Sequence, residues 1–240
     1  MPPRKNILIV GDSLTEFGYD NRWVSNLQHE YQRRADVVAR GFSGYNTRWV
    51  LEMLNDDARS EIVVPVTQSL FCAVFLGAND AAAGFATEVP LEEYQSNLRG
   101  IIRALREKAH PEFGVVVVTP PPVDQEVLLA YTIANWNPAA TCSPRTLEHT
   151  KLYRDAALQV AQEEGCVAVD LYKVFLGDDV AQSFAPNQPW SKYFPDGLHF
   201  NDEGGKLIST ALLAALPDDC KAASLPMDAP DWLELASRTS

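Results

Sequence analysis

Four short polar blocks lie at or beside the ends of apolar runs. Gly11-Asp12-Ser13-Leu14 follows Ile7-Leu8-Ile9-Val10, Gly41-Phe42-Ser43-Gly44 follows a second run, and Gly77-Ala78-Asn79-Asp80 follows a third. Asp196-Gly197-Leu198-His199 precedes the last helical stripe. A serine, an asparagine, glycines and an Asp/His pair are the residue types that acyl transfer needs. They supply a nucleophile, a base with an orienting carboxylate, and donors for an oxyanion. In this reading Ser13 attacks, and His199 takes its proton and later delivers it to the leaving alcohol. Asp196 stands three residues before His199, with Pro195 and Gly197 keeping the segment in a loop, so a turn can bring its carboxylate onto the second imidazole nitrogen. The Asn79 amide and the Ser13 backbone N–H can donate to the oxyanion. Gly44 lets its backbone approach a substrate with no side chain in the way.

The neighbouring residues read differently. Asp12 is expected to bond local backbone N–H groups and Asp80 to be structural. Asp202 and Glu203 suit a helix N-terminus through its dipole. His29, His110 and His149 read as surface residues, and Ser43 has no base near it in sequence. Trp136 is the outside candidate for an acyl or alcohol pocket.

These blocks need a scaffold that gathers them at one edge. Strand-like runs over residues 6–10, 36–40, 69–76, 115–119 and 167–171 alternate with helical stripes over 22–34, 47–55, 91–108, 146–164 and 202–216. The alternation predicts a three-layer α/β/α sandwich around a five-stranded parallel sheet, in flavodoxin-like order with the first strand central. Ligands in such sheets bind beyond the carboxyl ends of the strands, where the blocks fall. One domain over 1–240 is expected, with a core from about 6 to 216 and a tail from 217 to 240. Residues 120–145 hold five prolines and predict a long loop with at most one short helix; loops of that length tend to be functional. Residues 177–197 read as irregular. In the tail, Trp232, Leu233 and Leu235 could dock.

Composition narrows the partners. The 240 residues are 46% hydrophobic and 22% charged, with 20 Lys+Arg against 32 Asp+Glu and a net charge of −12. A nucleic-acid or anionic-membrane surface needs a positive footprint that this chain lacks. The apolar runs are too short to span a bilayer, and Gly11-Asp12 cuts the first run off before it could serve as a signal peptide. A cytoplasmic location is therefore expected. Four scattered cysteines form no C-x-x-C and no Cys/His cluster, so no metal site is expected; Cys72 and Cys166 read as core residues with free thiols. The first loop carries neither a P-loop nor a G-x-G-x-x-G pattern, which argues against a nucleotide-binding module.

Gly-Asp-Ser-Leu near the N-terminus, Gly44, Gly-Ala-Asn-Asp and Asp-Gly-Leu-His together resemble the blocks of the GDSL, or SGNH, hydrolases. The likeness runs in order from residue 6 to residue 216. Within that superfamily Gly-Asp-Ser-Leu-Thr-Glu, Gly-Ala-Asn-Asp-Ala, Thr-Pro-Pro-Pro and Asp-Gly-Leu-His-Phe resemble the isoamyl acetate-hydrolysing esterase group. The resemblance implies a flavodoxin-like fold and no cofactor. It makes Ser13, Gly44, Asn79 and His199 the four name-giving positions, with Asp196 completing a triad. It assigns the oxyanion hole to the N–H groups of Ser13 and Gly44 and the Asn79 amide. The expected activity is hydrolysis of small neutral carboxylic esters. A sugar O-deacetylase, or a lysophospholipase or thioesterase, would use the same site, and a non-catalytic binding protein would keep it unused.

Overall fold

The computed structural model describes residues 4–65, 68–178 and 188–237. Five strands form one parallel sheet: β1 (Lys5–Gly11), β2 (Ala35–Gly41), β3 (Ser69–Phe75), β4 (Val115–Val118) and β5 (Val167–Val169). Their order is β2-β1-β3-β4-β5, the flavodoxin-like arrangement. β1 lies inside the sheet between β2 and β3, and β3 takes the middle place.

Both faces of the sheet are covered, which is why β1 is apolar over residues 7–10, β3 over residues 70–75 and β4 throughout. Side chains alternate between the faces. Ile7, Ile9, Phe71, Phe75, Val116 and Val118 enter one core layer with Trp23 and Leu27 of α2 (Trp23–Glu30) and Ile208 and Leu212 of α9 (Asp202–Ala215). Leu8, Val10, Cys72, Val74, Val115 and Val117 enter the other. There they meet Val50 and Leu54 of α3 (Thr47–Asn55), Leu98 and Ile102 of α5 (Leu91–Ala109) and Tyr153 and Val160 of α7 (Leu147–Glu163). Each fully buried Leu, Ile or Val contributes about 1.5–3 kcal/mol relative to exposure, so two such layers hold the sheet edge still.

Caps set the helix starts. Asn46 opens α3, Thr146 opens α7 and Asn201 opens α9, each accepting from a backbone N–H of the first turn. Four helices lie where the sequence reading has none: α1 (Ser13–Glu16), α4 (Asp57–Val63), α8 (Leu171–Leu176) and α10 (Trp232–Ser237). Residues 125–135 form α6 (Gln125–Asn135), longer than the short helix expected there, because the Asp124 side chain caps it. β5 ends two residues early, because Asp170 caps α8 (Leu171–Leu176) and turns Leu171 into helix. The first helical stripe is likewise shorter than read: α2 ends at Glu30, and the chain turns at Tyr31 to enter β2. In the tail, α10 (Trp232–Ser237) leaves Trp232 71%, Leu233 61% and Leu235 48% exposed, so these three apolar residues are not docked. Of the irregular stretch 177–197, residues 179–187 lie outside the described residues; residues 189–193 form a 3-10 turn. No described helix is long and apolar enough to cross a membrane.

The register sets up the site. Gly11 at the end of β1 pairs with Gly41 of β2 and with Phe75 of β3. The three following loops therefore leave the sheet at one level and side by side.

Candidate active site

Ser13 is the first residue of α1. Asp12 caps that turn: its Oδ1 accepts from Leu14 N at 3.0 Å, and its carbonyl accepts from Thr15 N and Glu16 N. The turn lifts the Ser13 side chain off the strand end and aims it at the loop before α9. His199 Nε2 lies 2.9 Å from Ser13 Oγ. His199 Nδ1 lies 2.6 Å from Asp196 Oδ2. A carboxylate can only accept, so Nδ1 carries the proton and Nε2 is left to accept from the Ser13 hydroxyl. The second carboxylate oxygen, Asp196 Oδ1, accepts from Leu198 N at 2.9 Å and His199 N at 2.7 Å. Burial pushes the Asp196 carboxyl up, but the bond and charge of His199 and the two backbone N–H groups outweigh it and hold it below the ordinary carboxylate range.

The Asp196–His199 loop is clamped from both sides. Gly197 sits at φ +88°, and a β-carbon there would lie 2.5 Å from the Asp124 carbonyl and against Leu128 N at the start of α6. The Gly197 carbonyl accepts from Asp124 N at 2.9 Å, and Asn201 N donates to the Tyr193 carbonyl at 3.0 Å. The His199 ring meets Phe17 edge-on at 5.4 Å between centroids, and Phe17 is 40% exposed.

Asn79, on the loop after β3, reaches across both neighbouring loops. Its Nδ2 donates to the Tyr45 carbonyl at 2.9 Å and approaches Asp12 Oδ2 at 3.4 Å. Gly44, beside Tyr45, has φ +80°, and a β-carbon there would meet open space. The left-handed backbone and the absent side chain are thus both real at this position. The structure accordingly brings Ser13, His199 and Asp196 into one hydrogen-bonded chain, and joins the Ser13 turn to the Gly44 loop through Asn79.

The remaining polar residues sort as follows. Asp80 turns away from the triad and accepts from Thr47 N at 3.1 Å and Thr47 Oγ1 at 2.5 Å, pinning the start of α3. Burial pushes its carboxyl up to about 7, against the Thr47 bonds. Asp12 is fully buried, and burial pushes it up to about 6 against the Leu14 N–H and the charges of His199 and Arg145. His29 and His110 are exposed, as expected. His149 is not a free surface residue: it is half-buried edge-on against Tyr153, with Nε2 buried and unpartnered. Trp136 is 63% exposed and its ring meets Tyr131. Cys72 is buried, Cys166 half-buried, and both are free thiols.

One site residue has no signal in the sequence reading. Arg145, the last residue of the proline-rich stretch, is 8% exposed and donates from Nε to the Ala78 carbonyl at 2.5 Å and from Nη2 to Asn79 Oδ1 at 2.9 Å. A lone arginine just before a helix cap is an ordinary surface pattern, so nothing in the sequence marks it.

Comparison with known proteins places the chain in a family. The model of the GDSL-like Lipase/Acylhydrolase family matches residues 9–207. The chain is 34% identical over 242 residues to the isoamyl acetate-hydrolyzing esterase 1 homolog of Bos taurus, covering 96% of this chain and 88% of that protein. It is 30% identical over 222 residues to the isoamyl acetate-hydrolyzing esterase of Saccharomyces cerevisiae, covering 88% and 86%. Its fold resembles the crystal structure of Axe2, an acetylxylan esterase from Geobacillus stearothermophilus, with a TM-score of 0.63 over 90% of this chain and 96% of that one, at 19% identity. The last likeness speaks for the fold alone. The matched model, the relatives and the hydrogen-bonded Ser-His-Asp chain lead to one conclusion: this protein belongs to the GDSL-like lipase/acylhydrolase family and is a carboxylic ester hydrolase.

Proposed function

We propose that the protein hydrolyses small, neutral, short-chain carboxylic esters through an acyl-enzyme on Ser13. The observation that carries this reading is the unbroken chain Ser13 Oγ–His199 Nε2 and His199 Nδ1–Asp196, at 2.9 and 2.6 Å. Ser13 Oγ attacks the ester carbonyl as its proton passes to His199 Nε2. The carbonyl oxygen becomes an oxyanion, stabilised by the N–H groups of Ser13 and Gly44 and by the Asn79 amide. His199 then gives its proton to the departing alkoxide, leaving Ser13 acylated. Water repeats the sequence with the acid as product. Asp196 holds the imidazole in the receiving tautomer and stabilises the imidazolium.

Three features support the substrate class. The two relatives named above are called isoamyl acetate-hydrolyzing, and acetate is the shortest common acyl group on a volatile, uncharged ester. The half-exposed Phe17 ring flanks His199, which suits an apolar alcohol. A net charge of −12 disfavours anionic substrates.

The test is a series of p-nitrophenyl esters from acetate to palmitate, with Ser13→Ala in parallel. Serine-dependent turnover that is highest for the shortest chains is expected. Turnover rising towards palmitate, or none from a folded protein, would overturn the substrate class. Activity in Ser13→Ala within tenfold of the wild type would overturn the mechanism.

A further inference from the structure

Arg145 is a buried cation with neutral partners. Among the described residues it forms no ion pair, and its donors go to the Ala78 carbonyl and Asn79 Oδ1. Burying a guanidinium without a contacting carboxylate is costly. Among the described residues, the acidic groups that act on it are Asp12 and Asp196, from farther off, and burial pushes the guanidinium down to about 10. A neutral side chain would fill the same space at lower cost, so the charge calls for a function.

Its partner supplies one. A guanidinium donates and never accepts, so the Asn79 atom facing it must be the carbonyl oxygen. The amide nitrogen is then forced to the opposite side, onto the Tyr45 carbonyl at 2.9 Å and near Asp12 Oδ2 at 3.4 Å. The reversed amide would set donor against donor at Arg145 and oxygen against oxygen at Tyr45. One Nδ2 hydrogen is committed to Tyr45. The other has only the long approach to Asp12, so it can be given to a developing oxyanion. A charge-assisted bond on Oδ1 also polarises the amide and strengthens that remaining donor.

We propose that Arg145 is the positioning residue of the oxyanion hole, fixing the Asn79 amide with its N–H side towards the substrate carbonyl and backing it with positive charge. The proposal rests on Asn79 acting as an oxyanion donor. It also gives the proline-rich stretch a role at its last residue. There Pro144 is buried, the Arg145 N–H donates to Ser143 Oγ at 3.3 Å, and Thr146 caps α7.

The experiment measures kcat and KM for p-nitrophenyl acetate with Arg145→Lys and Arg145→Gln, each alone and combined with Asn79→Ala. Lysine keeps the charge but cannot reach both oxygens, and glutamine removes the charge. Each single variant should lower kcat by roughly 10- to 10²-fold, a fraction of the loss of a whole oxyanion donor, with KM within about threefold. In the Asn79→Ala background the same changes should cost less than about threefold, because residues acting as a unit are not additive. Affinity for phenylboronic acid, which forms a tetrahedral adduct on a serine nucleophile, should fall in step with kcat. Full additivity with Asn79→Ala, or an unchanged kcat, would overturn the proposal. So would loss of the fold in both variants, by circular dichroism and Tm, since that assigns Arg145 to stability. Failure of the underlying reading is separately visible: Asn79→Ala alone would then leave kcat unchanged.

Discussion

Replacing Asp196 by asparagine changes one oxygen into an NH2 group, and the surrounding bonds decide which one. Asp196 Oδ1 accepts from two backbone N–H groups, Leu198 at 2.9 Å and His199 at 2.7 Å, while Oδ2 accepts from His199 Nδ1 at 2.6 Å. Asparagine has a single oxygen. Turned with its NH2 towards the two backbone donors, it would leave both N–H groups unpaired at about 1–3 kcal/mol each. The oxygen therefore stays under the backbone, and the NH2 group faces His199 Nδ1. Nδ1 must now accept, so the ring proton moves to Nε2. An Nε2–H cannot take the proton of the Ser13 hydroxyl 2.9 Å away. In a Ser-His-Asp triad this tautomer exchange costs about 10⁴ in kcat, or about 5.4 kcal/mol. KM should stay within about threefold, because the groups that would hold the ester are untouched. The assay is steady-state hydrolysis of p-nitrophenyl acetate by Asp196→Asn, with circular dichroism to confirm the fold. A loss of less than about tenfold in a folded variant would refute both the tautomer argument and Asp196 as the third member.

Three further outcomes follow from the same contacts. Asn79→Ala should lower kcat by roughly 10²–10³-fold with little change in KM, as for one lost oxyanion donor; steady-state kinetics on the same ester check it, and an unchanged kcat removes Asn79 from the hole. Gly197→Ala must either strain a backbone at φ +88° or push into the Asp124 carbonyl. It should cost at least about 2 kcal/mol in denaturant unfolding and lower kcat by displacing His199, whereas wild-type behaviour in both would show the loop to be slack. Asp12→Asn should gain on the wild type as pH rises. A buried carboxyl raised to about 6 stabilises the fold below its unfolded value near 4 and loses that contribution as pH climbs through 6. Relative to wild type, the variant should improve by about 1.4 kcal/mol between pH 5 and pH 8, and a flat or falling difference would refute the assignment.

The sheet was readable because its strands are buried on both faces. Ile7-Leu8-Ile9-Val10 and Val115-Val116-Val117-Val118 are unbroken apolar runs that only a covered parallel sheet can use. Ser13, Asn79 and the Asp196/His199 pair were readable because each directly follows a strand or precedes a helix, so sequence position reports spatial position. What escaped has no such periodic frame. α6 carries apolar residues around most of its circumference, Leu128 inward and Ile133 outward, so no stripe marks its length. Leu171 continues an apolar run, and only the Asp170 cap makes it helical. Arg145 looks like any surface arginine until Ala78 and Asn79, 67 and 66 residues away along the chain, close over it. Its burial is a property of the packed loops and of no local pattern.

The central claim is that Ser13 forms the covalent intermediate. Treating the protein with a stoichiometric fluorophosphonate and mapping the adduct by mass spectrometry tests it directly. The account predicts one phosphonyl group per chain on the peptide containing Ser13, inactivation in proportion to labelling, and no adduct in Ser13→Ala. Labelling of a different serine that tracks the loss of esterase activity, with Ser13→Ala still active, would contradict it.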